Sequence, residues 1–390
     1  MNDVYVVSAC RTAVGDFMGS LSSLTDVELG TIVAKEAIER AGLKPEQVEE
    51  LTLGLVYMGG SKGGPARQIQ MAIGCKPESY SCAVNQLCGS AMRATEILSQ
   101  QIILGKTGVG VVVGAESMSN AAYILNKART IRMGDVKLCD GLTHDGLNCE
   151  ISGYHMGVTA ENLAEEFNIT REECDELAML SHERAAKATE EGRFKEELVP
   201  VTIKTRKGEV VVDRDEHPKA TSMEKLAKLR PAFKKDGIVT AGNASGINDG
   251  AAAMVLASGE MVEKLGLKPM AKLVASCSAG VEAQRMGYGP AVAIPKVLDL
   301  AGLKKEDIGY WEINEAFAAQ YIACERTLQI PRDKVNRNGS GIAIGHPVGC
   351  TGVRIQVGLI HEMIKQDVKY GCASLCVGGG PACAIIWEKC

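Results

Sequence analysis

Apolar and polar positions along this chain follow two rhythms that alternate. Residues 4–9, VYVVSA, are apolar at nearly every place and rich in β-branched side chains, which predicts a buried strand. Residues 29–42, LGTIVAKEAIERAG, return an apolar side chain every three or four places and predict an amphipathic helix. The strand pattern comes back at 80–84 (YSCAV) and at 108–117 (GVGVVVGAES). Such alternation predicts an α/β fold with a mostly parallel sheet covered by helices.

The pattern also repeats at long range. AGLKPEQVEELTL (41–53) matches AGLKKEDIGYWEI (301–313), and each fits a helix end, a short helical turn and an apolar strand. CGSAMR (88–93) lies over GCTGVR (349–354), GVGVVVGAES over YGCASLCVGGG (370–380), and VYVVSA over KLVASCSAG (272–280). Four matches in one order at nearly one shift predict two similar α/β halves, 1–119 and 271–390, the first completed by 249–270. Residues 120–248 stand apart as an inserted region rich in charge and helical pattern. Within them, Thr170 is placed to cap the helix that follows Asn168-Ile169.

Composition narrows the class. With 390 residues, 46% apolar and 43 glycines, the chain suits a large α/β protein with more than one core. A net charge of −5 gives no general reason to expect nucleic acid or an anionic membrane. The opening MNDVYVVSACRTAVG lacks the pattern of a secretory signal, and no apolar run reaches the roughly eighteen residues of a membrane span. The fourteen cysteines therefore read as reduced thiols in a cytoplasmic protein, and none pairs at zinc spacing, so no metal is expected. Residues 201–235 run against the overall charge, with ten Lys/Arg and five Asp/Glu. That excess is either a solvated face or a seat for a phosphorylated ligand.

Four places carry candidate chemistry. Cys88 follows the strand YSCAV and precedes small residues at a helix start, whose N–H groups and dipole would lower a thiol's pKa and bind an oxyanion. His346, in the glycine-rich turn GIAIGHPVGCTG (341–352), belongs to the segment that the repeat places opposite the Cys88 turn. If the halves pack about a pseudo-twofold axis, an imidazole meets a thiol, the pairing that activates a nucleophilic cysteine. Cys376 ends a strand before Gly378 and its two glycine neighbours, where ligands bind open sheets. Asn314, in NEAFAAQ (314–320), occupies a strand-to-helix junction and is expected to serve as an N-cap.

NQLCGSAM, NEAFAAQ, GHPVGCTG and LCVGGG, in this order, resemble the thiolase family, as do HMGVTAEN (155–162), KLRPAF (228–233) and GNASGINDGAAA (242–253). The resemblance spans the whole chain. It implies two repeated α/β halves of βαβαβαββ type in a layered αβαβα core, with a loop domain inserted from the first half. It further implies an acetyl-CoA C-acetyltransferase of the short-chain branch, using coenzyme A thioesters as substrates and no cofactor. By resemblance Cys88 is the nucleophile, His346 its activator, and Asn314 the holder of a water at the first oxyanion site. Cys376 is the acid/base acting on the second acetyl-CoA, and the N–H groups of Cys88 and Gly378 form the other oxyanion hole. Ser245 and Leu147 would lie near the pantetheine, His155 and Met156 near the thioester, Phe233 near the adenine, and Lys219 beside the phosphates. Met286, Ala316 and Phe317 would complete the substrate site. The partners implied are acetyl-CoA, acetoacetyl-CoA and CoA, with a homo-oligomer, a tetramer in the first instance.

Ala91 stands where the family commonly has glycine after CGS, and its methyl is expected to tighten the floor beside the nucleophile. Ser340, Ile342, Pro381 and Ala382 also depart from the common pattern. A 3-ketoacyl-CoA thiolase of broader chain length and a non-catalytic acyl-CoA-binding relative remain as alternatives at this point.

Overall fold

A computed structural model describes residues 2–206 and 208–390. Lys207, one of the cations counted in 201–235, lies outside the described residues.

The N-terminal half runs β1 (Val4–Thr12), α1 (Asp26–Arg40), β2 (Glu50–Gly54), α2 (Pro65–Ala72), β3 (Tyr80–Val84), α3 (Ser90–Ile103) and β4 (Val109–Ser117). After α4 (Met156–Glu166) and α5 (Arg171–Glu190) the chain returns as β5 (Asn248–Ser258). The C-terminal half runs β6 (Ala271–Gly280), α6 (Gly289–Ala301), β7 (Ile308–Ile313), α7 (Ala318–Leu328), α8 (Thr351–Lys365), β8 (Tyr370–Cys376) and β9 (Pro381–Lys389). The repeat is visible element by element, down to the short turns Pro45–Gln47 and Lys305–Asp307 before β2 and β7. The counterpart of β3 is reduced to one bridge between Trp311 and Val335.

The long strands lie in the order β7-β8-β9-β6-β1-β5-β4-β2-β3. The halves join where Tyr5 and Val6 of β1 pair with Lys272 and Ala271 of β6. The expectation of a mostly parallel sheet is corrected: β2 pairs parallel with β3 and β4, and β7 with β8, but the other five ladders are antiparallel. Helical crossovers make the parallel pairs, whereas the last two strands of each half fold back on each other.

Three cores set the layers. One lies under α1 and α2, with Leu29, Val33 and Ile69 against Leu51 and Val111. A second is shared by α3 and α8, where Met92 and Leu98 meet Val353 and Ile360 between Val112, Met254, Leu375 and Trp387. The third packs α4, α6 and α7 on the far side of the C-terminal strands, through Leu163, Ile294 and Ile322. The order of layers is therefore αβαβα. β4 and β5 are buried along their full length because helices cover both their faces.

Two details confirm local readings. Thr170 caps α5 in a reciprocal box, its Oγ1 accepting the Glu173 N–H at 3.2 Å while the Glu173 carboxylate accepts the Thr170 N–H at 2.7 Å. The starts of α3 and α8 do meet: a Cβ on Gly352 would lie 2.3 Å from the Met92 nitrogen, so only glycine permits this approach.

Candidate active site

Cys88 sits on a tight turn between β3 and α3. The Gly89 N–H donates to the Gln86 carbonyl at 3.0 Å and the Ser90 N–H to the Leu87 carbonyl at 2.9 Å. Ser90 Oγ ties the turn further, accepting from the Gln86 N–H at 2.9 Å and donating to the Leu87 carbonyl at 2.6 Å. Leu87 takes φ +46°, an uncommon conformation for leucine, and so lifts the next residue out of the strand line. The backbone N–H groups of Gly378 and of Cys88 itself lie near the sulfur and favour its thiolate. Burial nevertheless pushes the thiol up to about 11. The expected lowering by the helix start is thus corrected: removal from water outweighs the two N–H donors.

His346 is buried on the loop between Gly345 and α8. Its N–H donates to Asn248 Oδ1 at 2.9 Å and its Nδ1 lies 2.6 Å from Thr351 Oγ1. Among the described residues Nε2 has no hydrogen-bond partner. Burial, with the Arg354 guanidinium adding to it, holds the imidazole down at about 3, so the ring is neutral at physiological pH. Cys376 closes β8, fully buried, and its thiol is pushed well above the ordinary range by burial and then by the neighbouring Cys88. Asn314 is not a cap: α7 begins at Ala318 with Phe317 in the cap position. The Asn314 side chain is wholly buried, and neither its Oδ1 nor its Nδ2 makes a hydrogen bond among the described residues.

Cys88, His346 and Cys376 open on one cavity of about 310 Å³, lined also by Gly378, His155, Met156, Leu147, Ser245, Met286, Ala316 and Phe317. Most of the remaining wall is apolar, including Val56, Met118, Ile247 and Val348. Phe233 also lines it, stacked on His155 with ring centroids 4.5 Å apart and edge-on to Phe317 at 6.0 Å. His155 caps α4, its Nδ1 accepting the Gly157 N–H at 3.0 Å, and burial lowers its pKa. The Ser245 N–H donates to the Ala316 carbonyl at 2.9 Å, which ties the inserted region to the NEAF segment. Asn314 and Lys219 are not part of the wall. The Lys219 ammonium is exposed, 3.7 Å from Asp16 Oδ2. Its neighbour His217 comes close to the cavity rim, because a Cβ on Gly246 would lie 2.4 Å from the His217 ring. Ala91 is likewise absent from the wall. Its methyl lies 2.8 Å from where a Cβ on Gly114 would stand, so it faces β4 and not the floor beside Cys88.

Residues 4–260 match the thiolase N-terminal domain and residues 267–389 the thiolase C-terminal domain. The chain belongs to the thiolase family. It is 46% identical over 392 residues to the acetyl-CoA acetyltransferase of Escherichia coli (strain K12), with all of each chain covered. It superposes on the solved acetyl-CoA acetyltransferase from Syntrophomonas wolfei with a TM-score of 0.98 at 51% identity, again over the whole of both chains. Human mitochondrial 3-ketoacyl-CoA thiolase in complex with CoA is similar at a TM-score of 0.95 and 38% identity, over 100% of this chain and 98% of that one.

Sequence reasoning missed several residues of this thiolase site. Glu116, at the end of β4, accepts the N–H groups of Val56 at 3.1 Å, Tyr57 at 3.1 Å and Gly349 at 2.8 Å. It thereby links the loop after β2 to the loop that carries His346, and burial raises its pKa to about 8. A lone acid closing the apolar run VGVVVGAES was the available signal. Asn248 and Thr351 gave none, because each becomes relevant only when the chain brings it to His346.

Proposed function

We propose that this chain is an acetyl-CoA C-acetyltransferase, catalysing the reversible Claisen condensation of two acetyl-CoA to acetoacetyl-CoA and CoA. The observation that carries the reading is the meeting of two thiols, an unpaired imidazole nitrogen and two N–H donors at Cys88 in one largely apolar cavity. Such a cavity suits the acyl end of a pantetheine thioester.

In this reading His346 Nε2 takes the Cys88 proton as the sulfur attacks the thioester carbonyl. The tetrahedral oxyanion collapses, and the coenzyme leaves as thiolate and takes the proton of the Cys376 thiol, which leaves Cys376 as thiolate while His346 keeps the Cys88 proton. A second acetyl-CoA then loses an α-proton to the Cys376 thiolate. A buried thiolate with a raised pKa is a strong base, suited to a weak carbon acid. The carbanion attacks acetyl-Cys88, the expelled Cys88 thiolate recovers its proton from His346, and Cys376 is left as the thiol it began as. The Cys88 and Gly378 N–H groups stabilise one oxyanion. Asn314, whose amide makes no hydrogen bond to the protein, holds a water at the other. Phosphates of the coenzyme lie toward the basic segment that includes Lys219.

The same reading includes a cytoplasmic homo-oligomer, a tetramer in the first instance. Among the described residues no helix is long and apolar enough to cross a membrane. Exposed Ile131, Met133, Val136 and Leu138 within one short stretch support a subunit contact that light scattering would detect. The deciding experiment compares thiolysis of acetoacetyl-CoA with that of longer 3-ketoacyl-CoAs, with Cys88→Ala as control. Preference for the four-carbon substrate and a dead control are expected. Equal use of long chains would favour the broader 3-ketoacyl-CoA thiolase, and undiminished turnover by the control would overturn the mechanism.

A further inference from the structure

We propose that Thr351 is a positioning residue that fixes the tautomer of His346, keeping the hydrogen on Nδ1 and the free lone pair on Nε2. One hydrogen atom decides the tautomer. Thr351 Oγ1 has a single hydrogen and two neighbours, His346 Nδ1 at 2.6 Å and the Pro347 carbonyl at 2.9 Å. A carbonyl oxygen only accepts, so the hydroxyl is its donor. The bond is the back-bond of a helical threonine to the carbonyl four residues earlier. Thr31, Thr95, Thr189 and Thr327 make the same bond in their own helices, at 2.7, 3.0, 2.8 and 3.0 Å. With its hydrogen committed, Oγ1 meets Nδ1 only as an acceptor, and Nδ1 carries the ring proton.

The backbone of His346 is held as well. Asn248 Oδ1 accepts the His346 N–H at 2.9 Å, and Asn248 Nδ2 donates to the Gly15 carbonyl at 3.0 Å. Gly345 takes φ +109°, and a Cβ there would lie 2.7 Å from Asn248 Cγ. Backbone and ring are therefore both pinned, and Nε2 is left as the one unpaired ring nitrogen. A neutral imidazole of the opposite tautomer would present an N–H there and could not take the Cys88 proton. This consequence for turnover rests on the acetyltransferase reading; the tautomer itself does not.

Neutron diffraction from deuterated enzyme reads directly which nitrogen of His346 carries the deuteron. Density on Nδ1 and none on Nε2 is expected, and density on Nε2 overturns the proposal. Thr351→Val keeps the shape and removes the acceptor, so kcat should fall by about ten- to a hundredfold, in line with losses from other orienting partners, with KM little changed. Thr351→Ser should restore turnover. Wild-type kcat in the valine variant would also overturn it. Where that variant does not fold, the wild-type neutron map decides alone. Full turnover by Cys88→Ala would strike the acetyltransferase reading and leave the tautomer untouched.

Discussion

Glu116 and Gly349, from opposite halves of the molecule, are joined by a hydrogen bond of 2.8 Å in which the Gly349 N–H donates to the carboxylate. Because that carboxylate also accepts from Val56 and Tyr57, it holds the His346 loop at a set distance from the loop after β2. Glu116→Gln keeps the shape but places an NH2 group against backbone donors. A loss of about 2 kcal/mol in unfolding free energy is expected from the buried backbone donor left without an acceptor, measured by urea titration. Turnover should fall with it.

The Cys88 thiol and His346 are both neutral at pH 7, since one is raised to about 11 and the other lowered to about 3. An acid with a raised pKa ionises later, so the thiolate fraction climbs throughout the range below 11. Alkylation of Cys88 by iodoacetamide, followed by mass spectrometry, should accelerate steadily from pH 6 to 9.5. A plateau already reached below pH 7 would mean a resting thiolate–imidazolium pair and contradict this prediction.

Two buried histidines make the fold acid-sensitive. His346 is held at about 3 and His182 at about 4, both below the usual value near 6.5. Between the unfolded and folded values the unfolded chain binds more protons, so stability is full above pH 6.5 and is lost as the pH falls toward 3. Each histidine contributes a slope of about 1.4 kcal/mol per pH unit in that window. His346→Asn should flatten the curve of denaturant midpoint against pH; an unchanged curve would remove His346 from the account.

Ala91→Gly tests where the methyl points. Since it packs toward Gly114, the change should leave the ratio of four- to six-carbon substrate kcat/KM as it is. Stability should drop by about 1 kcal/mol, the helical cost of glycine against alanine. A widened substrate range would mean that the methyl does bound the acyl space.

Met156→Ala should do what Ala91→Gly does not. The Met156 methyl comes within 2.6 Å of where a Cβ on Gly378 would stand, beside the sulfur of Cys88. Shortening it opens the wall next to the nucleophile, and relative kcat/KM should move toward six-carbon substrates. No shift in that ratio would assign the limit to another part of the wall.

Cys88, His346 and Cys376 were legible because each sits in a local context that chemistry marks: a helix start, a glycine-rich turn, a strand end before glycines. The repeat then predicted the meeting of the first two turns. Asn314 was misread as a cap because the junction looks the same whether the helix starts at once or four residues later. The Cys88 pKa was misjudged because a helix start is visible in sequence and depth of burial is not. Lys219 shows the limit of charge counting: its segment approaches the cavity rim, but its ammonium pairs with Asp16 outside the wall.

By itself the sequence determined the elements, their repetition and the candidate reactive groups, because periodicity, capping and turn chemistry act over a few residues. Only the tertiary structure decided strand direction, since parallel and antiparallel strands share one apolar rhythm. It alone decided that Ala91 faces β4, that Glu116 ties the halves together, and that Thr351 and Asn248 hold His346. Most of those relations join residues far apart in the chain, and the one between Thr351 and His346, five residues apart, depends on the side-chain directions that the folded turn sets. Packing at that distance is fixed by shape and unpaired polar groups, which no short stretch of the chain contains.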